Sequence, residues 1–333
     1  MLMNDSEYLQ TLSDICIKIK AAQHKAVLAV NNELVVLYWN VGVTINKYRS
    51  WGNKFVENLA RDIKLDFPNV TGYSVRNLKY MAKFAKLFPD FEIVQATLAQ
   101  ITWYHNIALM DKVKNTETYI WYVAKTIENG WSRNILVHQI EYGLYERQAL
   151  AEKTTNFDKC LPNQQSELAE QTLKDPYVFD FITYREGMAE RDIESELVKN
   201  ITKLILELGT GFAFVGNQYH IEVEGEDFYI DLLFYNLKLR CYVVIELKNG
   251  DFKPEYAGKL NFYISAVDDL LKTTQDNQTI GILLCKNKKG IIAEYALRDI
   301  EKPIGISEYN LFDTLPEKYA DLLPSIEDIE RRI

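Results

Sequence analysis

Three charged side chains stand in the most apolar part of this chain. Residues 228–248 read FYIDLLFYNLKLRCYVVIELK: two apolar runs joined by a short turn. Asp231 lies between Ile230 and Leu232, and Glu246 and Lys248 close the second run. A buried carboxylate must neutralise, pair or bind a cation, because an isolated charge in an apolar medium is costly. Side chains alternate along a strand, so Glu246 and Lys248 share a face. Asp231 joins them if the hairpin loop has an even number of residues. Two carboxylates and a lysine on one apolar sheet suit a hard divalent cation beside a polarised phosphate. The competing reading is a structural Asp231–Lys248 ion pair, with Glu246 at a solvated strand end.

The elements that would carry these residues occupy the second half. Residues 191–208 have helical spacing, with Ile193, Leu197, Ile201, Leu204, Ile205 and Leu208 inward and Gly209 as the cap. Strand-like runs follow at 212–223, 227–236 and 240–248, then a helix at 255–272. A strand at 280–285, a helix at 290–299 and a short strand at 304–307 complete the order. This predicts a mixed sheet flanked by helices. Gly209-Thr210-Gly211 sits between a helix and a strand, the reverse of a dinucleotide-binding loop. No P-loop or hydrolase-elbow motif occurs.

The first half reads as all helix. Leu12, Ile15, Ile19, Ala22, Ala26, Val30, Leu34, Leu37 and Val41 recur at steps of three and four, predicting one helix over 7–48 that Gly52 interrupts. Helices are expected at 55–66 and 75–87, with Pro68, Asn69 and Gly72 in the turn and Ser74 as N-cap. Others are expected at 94–113, 115–128 and 132–148, with Trp103, Trp121 and Trp131 as core anchors. The 75–87 helix presents Arg76, Lys79, Lys83 and Lys86 outward. A helix, a Gly-containing turn and a basic helix outline a helix-turn-helix, so Arg76, Lys79 and Lys83 are candidate DNA phosphate contacts. A solvated face is the other reading. The polar stretch 151–176, with Pro162, is expected to be a linker between residues 1–150 and 177–333.

Composition is that of an ordinary globular chain: 333 residues, 47% hydrophobic and 26% charged. In residues 1–150, 17 Lys and Arg against 14 Asp and Glu leave +3; the remaining 21 against 33 leave −12. A mildly basic half joined to an acidic one permits nucleic-acid binding, with a metal offsetting the acidic site. Cys16, Cys160, Cys241 and Cys285 are far apart, which argues against a disulfide framework or zinc knuckle and suits a reducing cytoplasm. The four histidines are also scattered. No signal peptide or membrane span is expected; the best apolar run, 26–45, is broken by Asn31, Asn32, Glu33 and Asn40.

The element order, with Asp on the second strand and Glu-x-Lys on the third, resembles the PD-(D/E)XK nuclease superfamily. Longer segments resemble the YhcG family: GWSRNILVHQIEYGLYERQ, LPNQQSELAEQTLKDPYVFDF, GFAFVGNQYHIEVEGEDFYIDLLFYNLKLRCYVVIELK and KPEYAGKLNFYISAVDDLL. These are bacterial proteins with a helical N-terminal domain and a C-terminal nuclease domain. The resemblance implies an α+β multidomain chain: an all-α, helix-turn-helix-like domain, then an α/β restriction-endonuclease-like domain with a mixed central sheet.

It also implies roles. Asp231 and Glu246 would ligate Mg²⁺, or Mn²⁺ in its place. Lys248 would orient or activate the attacking water and stabilise transition-state charge. Glu194 matches the acidic residue of the preceding helix; its other reading is a first-turn Glu complementing the helix dipole. Tyr256, Lys259 and Tyr263 share one face of the following helix, with Lys259 the leading phosphate contact and Tyr256 beside it. Gln218 and His220 are further candidates. Ile230 replaces the proline of the family pattern. The implied function is Mg²⁺-dependent phosphodiester hydrolysis in DNA, with a homodimer able to cut both strands. The alternative is a non-catalytic DNA-binding or interaction protein with a vestigial site.

Overall fold

The computed structural model describes residues 5–48, 54–185 and 187–312. Gly52, expected to interrupt the first helix, lies outside them. The chain forms two compact units, Met1–Glu141 and Tyr142–Ile333.

The first unit is all helical: α1 (Asp5–Lys47), α2 (Phe55–Asp66), α3 (Val75–Leu87), α4 (Phe91–Ala96), α5 (Trp103–Lys112), α6 (Thr116–Asn129) and α7 (Arg133–Glu141). Ser74 caps α3 by accepting from Asn77 N, and Gly130, at φ 61°, closes α6 in the left-handed region. Two spans expected as single helices are divided. Residues 94–113 split at a one-turn 3-10 helix (Leu98–Gln100), after which Thr102 caps α5. Residues 132–148 end their α-helix at Glu141.

The core of this unit runs through Val35, Tyr38, Ile45, Leu78, Met81, Phe84 and Trp103. Much of the apolar stripe that marks α1 in the sequence is exposed, including Leu12, Ile15, Ile19, Val30, Leu34 and Leu37. Gly42 lets α1 close on α3: a Cβ there would lie 2.0 Å from the Met81 carbonyl oxygen.

The second unit places a mixed sheet between helical layers. Its elements are β1 (Thr154–Thr155), α8 (Phe157–Cys160), α9 (Asn163–Thr172), β2 (Tyr177–Thr183), α10 (Glu190–Lys199), α11 (Ile201–Leu208), β3 (Phe212–Val223), β4 (Glu226–Asn236), β5 (Cys241–Asp251), α12 (Pro254–Leu270), β6 (Ile280–Asn287), α13 (Gly290–Leu297) and β7 (Ile304–Phe312). The sheet order is β1-β7-β6-β5-β4-β3, with β2 also pairing β7. β3, β4 and β5 are antiparallel neighbours; β5, β6 and β7 are parallel. One face packs residues of α8 to α11, such as Phe157, Leu173, Ile193, Leu197 and Leu204. The other packs Ala257, Leu260, Ile264, Ala293 and Leu297 of α12 and α13. Gly281 of β6 lies under α12, where a Cβ would stand 2.6 Å from Ile264 Cδ1 and 2.8 Å from Leu260 Cγ.

The stretch 151–176, expected as a linker, holds β1, α8 and α9. Its polar residues hid a short apolar set: Phe157, Leu161, Ala169 and Leu173 enter the core of the second unit. Asn156 ties it down, donating to the Ile300 and Lys302 carbonyls and accepting from Ile304 N. The single helix expected over 191–208 breaks at Asn200 into α10 and α11. Among the described residues, no helix is long and apolar enough to cross a membrane.

Candidate active site

The four-residue loop 237–240 between β4 and β5 fixes the site. The ladder pairs Asn236 with Cys241 and Leu232 with Ile245. One step further, Asp231 stands across from Glu246, so the two carboxylates share a face with Lys248. There the ladder gives way to a side chain: Leu247 N donates to Asp231 Oδ2 at 2.9 Å. Asp231 and Lys248 are each 9% exposed, and Glu246 is 0% exposed.

Each charge has a specific neighbourhood. Lys248 Nζ donates to Glu190 Oε1 at 2.6 Å and to the Leu247 carbonyl at 2.6 Å. It lies 3.1 Å from Glu246 Oε1 and 5.5 Å from the centre of the Tyr256 ring. Lys259, on α12, also donates to Glu246 Oε1 and stands over the Tyr263 ring at 5.1 Å. Glu246 Oε2 is buried with no hydrogen-bond partner. Tyr263 donates to the Tyr229 carbonyl at 2.9 Å, pinning α12 to β4.

The electrostatics follow from burial. Burial pushes the Asp231 carboxyl up to about 7, and the neighbouring Glu246 adds to the rise. Burial also raises Glu194, partly offset by the Gln218 hydrogen bond. Burial opposes charge on Lys248 and Lys259, but the surrounding carboxylates, Glu246 first and Glu190 also at Lys248, outweigh it, and both stay above the usual lysine range.

Glu194, on α10, is buried and accepts from Gln218 Nε2 at 2.6 Å. The same amide reaches Asp231 Oδ1 at 3.4 Å, so Gln218 joins the helix carboxylate to the strand carboxylate. The β3 register sets Gln218 opposite Asp231, beyond an irregularity at 214–216, and its φ is 42°. His220 is bonded to Asp227 at 2.6 Å on the exposed part of the hairpin, not to a site carboxylate.

Glu190 and Asn249 escaped the sequence reading. Glu190 Oε2 accepts from Asn249 N at 3.2 Å, while its other oxygen holds Lys248. A signal existed: Glu190 precedes Glu194 by four, one turn along the same helix face.

The donor set suits a hard cation: the carboxylates of Asp231 and Glu246, the latter with its Oε2 unpartnered, and the backbone oxygen of Leu247. Among the described residues, no group of three or more His, Cys, Asp or Glu side chains gathers to hold a metal. A metal here would therefore rely on the carbonyl and on water as well.

The basic residues of α3 lie in the first unit. Arg76 is exposed, with its guanidinium 5.7 Å from the centre of the Tyr80 ring. Lys79 pairs with Glu57 at 3.4 Å, and Lys83 donates to the Met110 carbonyl at 2.6 Å.

This mixed sheet between helical layers, with Asp on β4 and Glu-x-Lys on β5, defines a restriction-endonuclease-like nuclease domain. Residues 170–324 match the YhcG PDDEXK nuclease domain, and residues 14–147 match the DUF1016 N-terminal domain. The two matches together take in most of the chain: a YhcG PDDEXK nuclease domain follows a DUF1016 N-terminal domain. It is 27% identical to "Putative nuclease YhcG" of Escherichia coli (strain K12), over 95% of this chain and 93% of that protein.

Two solved structures are weaker matches. One is an EndoMS–dsDNA complex, 17% identical with a TM-score of 0.28, covering 41% of this chain. The other is a repair endonuclease from Pyrococcus abyssi, 14% identical with a TM-score of 0.26, covering 39%. The matched region spans 50% of each of those chains.

Proposed function

We propose that this protein is a divalent-metal-dependent nuclease that hydrolyses phosphodiester bonds in DNA. The observation that carries this reading is the Asp231–Glu246–Lys248 cluster: two buried carboxylates and a lysine on one sheet face, with Glu246 Oε2 unpartnered.

Asp231 and Glu246 would hold Mg²⁺, or Mn²⁺. The bound ion would polarise the scissile phosphate and acidify the attacking water. Lys248, held by Glu190 and by the Leu247 carbonyl, directs its ammonium at the charge that develops on the phosphoryl oxygens. Water attacks in line and the 3′ oxygen leaves. Glu194, through Gln218, keeps Asp231 oriented. Lys259 and Tyr256, on α12, contact the substrate backbone. Arg76, Lys79 and Lys83 of the helical domain hold DNA by its phosphates. Cutting both strands of a duplex asks for two such sites, which a homodimer supplies. The four free thiols suit a cytoplasmic setting.

The test is incubation of the purified chain with supercoiled and branched DNA, with Mg²⁺ or EDTA, beside Lys248→Ala. Metal-dependent cleavage lost in the variant is the expected result. Cleavage by Lys248→Ala at the wild-type rate overturns the role given to Lys248. A salt-sensitive mobility shift without any cleavage makes the protein a DNA-binding module.

A further inference from the structure

Two ammonium groups crowd one oxygen of a fully buried carboxylate. Lys259 donates to Glu246 Oε1, and Lys248 Nζ stands 3.1 Å from the same atom. The second oxygen, Oε2, has no partner. The two lysines are held very differently. The Lys248 side chain is 11% exposed and bonds Glu190, the Leu247 carbonyl and Glu246. The Lys259 side chain is 45% exposed, and among the described residues its ion pair is with Glu246. It also stands over the Tyr263 ring, 5.1 Å from its centre.

A divalent cation on Asp231 and Glu246, taking the free Oε2, would share that carboxylate with the Lys259 ammonium on Oε1. Like charges a few ångströms apart in a half-dry site repel strongly, so the ion weakens the hold of Glu246 on the ammonium groups beside it. Lys248 could leave only by abandoning several partners. Lys259 leaves by rotating a flexible four-carbon stem into solvent.

We propose that Lys259 is a displaceable counter-ion. It neutralises Glu246 in the metal-free protein, swings away when a divalent cation binds, and only then offers its ammonium to the DNA phosphate. The inference rests on the nuclease reading and adds an order to it: metal first, Lys259 contact second. It also makes Lys259 a competitor of the metal, so its removal strengthens metal binding even as it weakens substrate contact.

The experiment is a Mn²⁺ titration of the full chain, followed by the spin-resonance signal of free Mn²⁺, in wild type, Lys259→Met, Lys259→Gln and Glu246→Gln. Tighter Mn²⁺ binding by about tenfold in both Lys259 variants is expected, with binding lost in Glu246→Gln. Unchanged or weaker binding in both Lys259 variants overturns the inference.

Amine labelling of the wild type needs no substitution. Lys259 should label more strongly with Mn²⁺ present while Lys248 does not; labelling of Lys259 that ignores Mn²⁺ overturns the inference. A wild type that takes up no Mn²⁺ ends both the nuclease reading and this one. Uptake that depends on Glu246 but not on Lys259 ends this one alone.

Discussion

Glu190 and Lys248 meet at 2.6 Å across 58 residues of sequence, joining the first turn of α10 to β5. The carboxylate is bifunctional: its second oxygen takes Asn249 N at 3.2 Å, so it fixes the strand backbone as well as the ammonium. Lys248 is therefore aimed by a residue outside the strand that carries it. Glu190→Ala should lower kcat about 10- to 100-fold with KM nearly unchanged, and Glu190→Gln should recover part of the loss. Steady-state kinetics on a defined duplex checks this. A rise in KM alone would place Glu190 in substrate binding.

The Asp231 carboxyl, raised to about 7 from an ordinary 3.8, couples stability to pH. A raised folded-state value favours the protonated form. Its contribution is complete below the unfolded-state value and is lost as pH rises through about 7. The EDTA-treated protein should thus lose melting temperature by several degrees as pH rises from about 4 to about 7. Asp231→Asn should flatten that slope. Protons compete with metal for the same carboxylate, so stabilisation by Mn²⁺ should grow over this range and level off above it. Thermal melts with and without Mn²⁺ measure both effects.

Glu207 is buried between two cations: Arg147 at 2.6 Å and Lys174 at 3.3 Å, with Val178 N donating at 2.9 Å. Its removal takes the carboxylate from two buried cations. Glu207→Ala should destabilise the second unit by about 3–5 kcal/mol. Urea unfolding followed by hydrogen exchange of the core amides on β2 locates the loss.

Gly42→Ala probes the helical unit, because its methyl would fall on the Met81 carbonyl, a backbone atom with little freedom to move. The expected cost is about 3 kcal/mol or more, read as a lowered melting temperature for residues 1–141 while the sheet core keeps its exchange protection.

The basic face of α3 makes an ionic prediction. Replacing Arg76, Lys79 and Lys83 with alanine should lower DNA affinity with little regard to sequence. The slope of log affinity against log salt should fall by about one per lost phosphate contact. Lys83, whose ammonium is taken by the Met110 carbonyl at 2.6 Å, should show the smallest change of the three.

The strands around the site were legible because β3, β4 and β5 are apolar runs bounded by turn residues. Periodicity of two then put Glu246 and Lys248 on one face. The loop length that brings Asp231 opposite them was open in the sequence and is four in the structure. Residues 154–173 were illegible because Phe157, Leu161 and Leu173 are too sparse to give a period, and their burial comes from the sheet they meet. Glu190 lies one residue before the helix expected over 191–208, and only the folded position of β5 gives it Lys248. The stripe on α1 shows the converse. Its spacing marks a helix, but spacing does not say which face is buried, and the core takes Val35, Tyr38 and Ile45 instead.

Gly281 carries no chemistry, yet it gauges the clearance of the site. Leu260 and Ile264 of α12 rest where its side chain would be, and Leu260 is the next residue after Lys259. The absent methyl lets α12 settle low enough for Lys259 to touch Glu246. A thicker residue at that point of β6 would jack the helix off the sheet and draw the ammonium out of reach. The working gap between roof and floor is thus machined into a strand that holds none of the candidate catalytic groups.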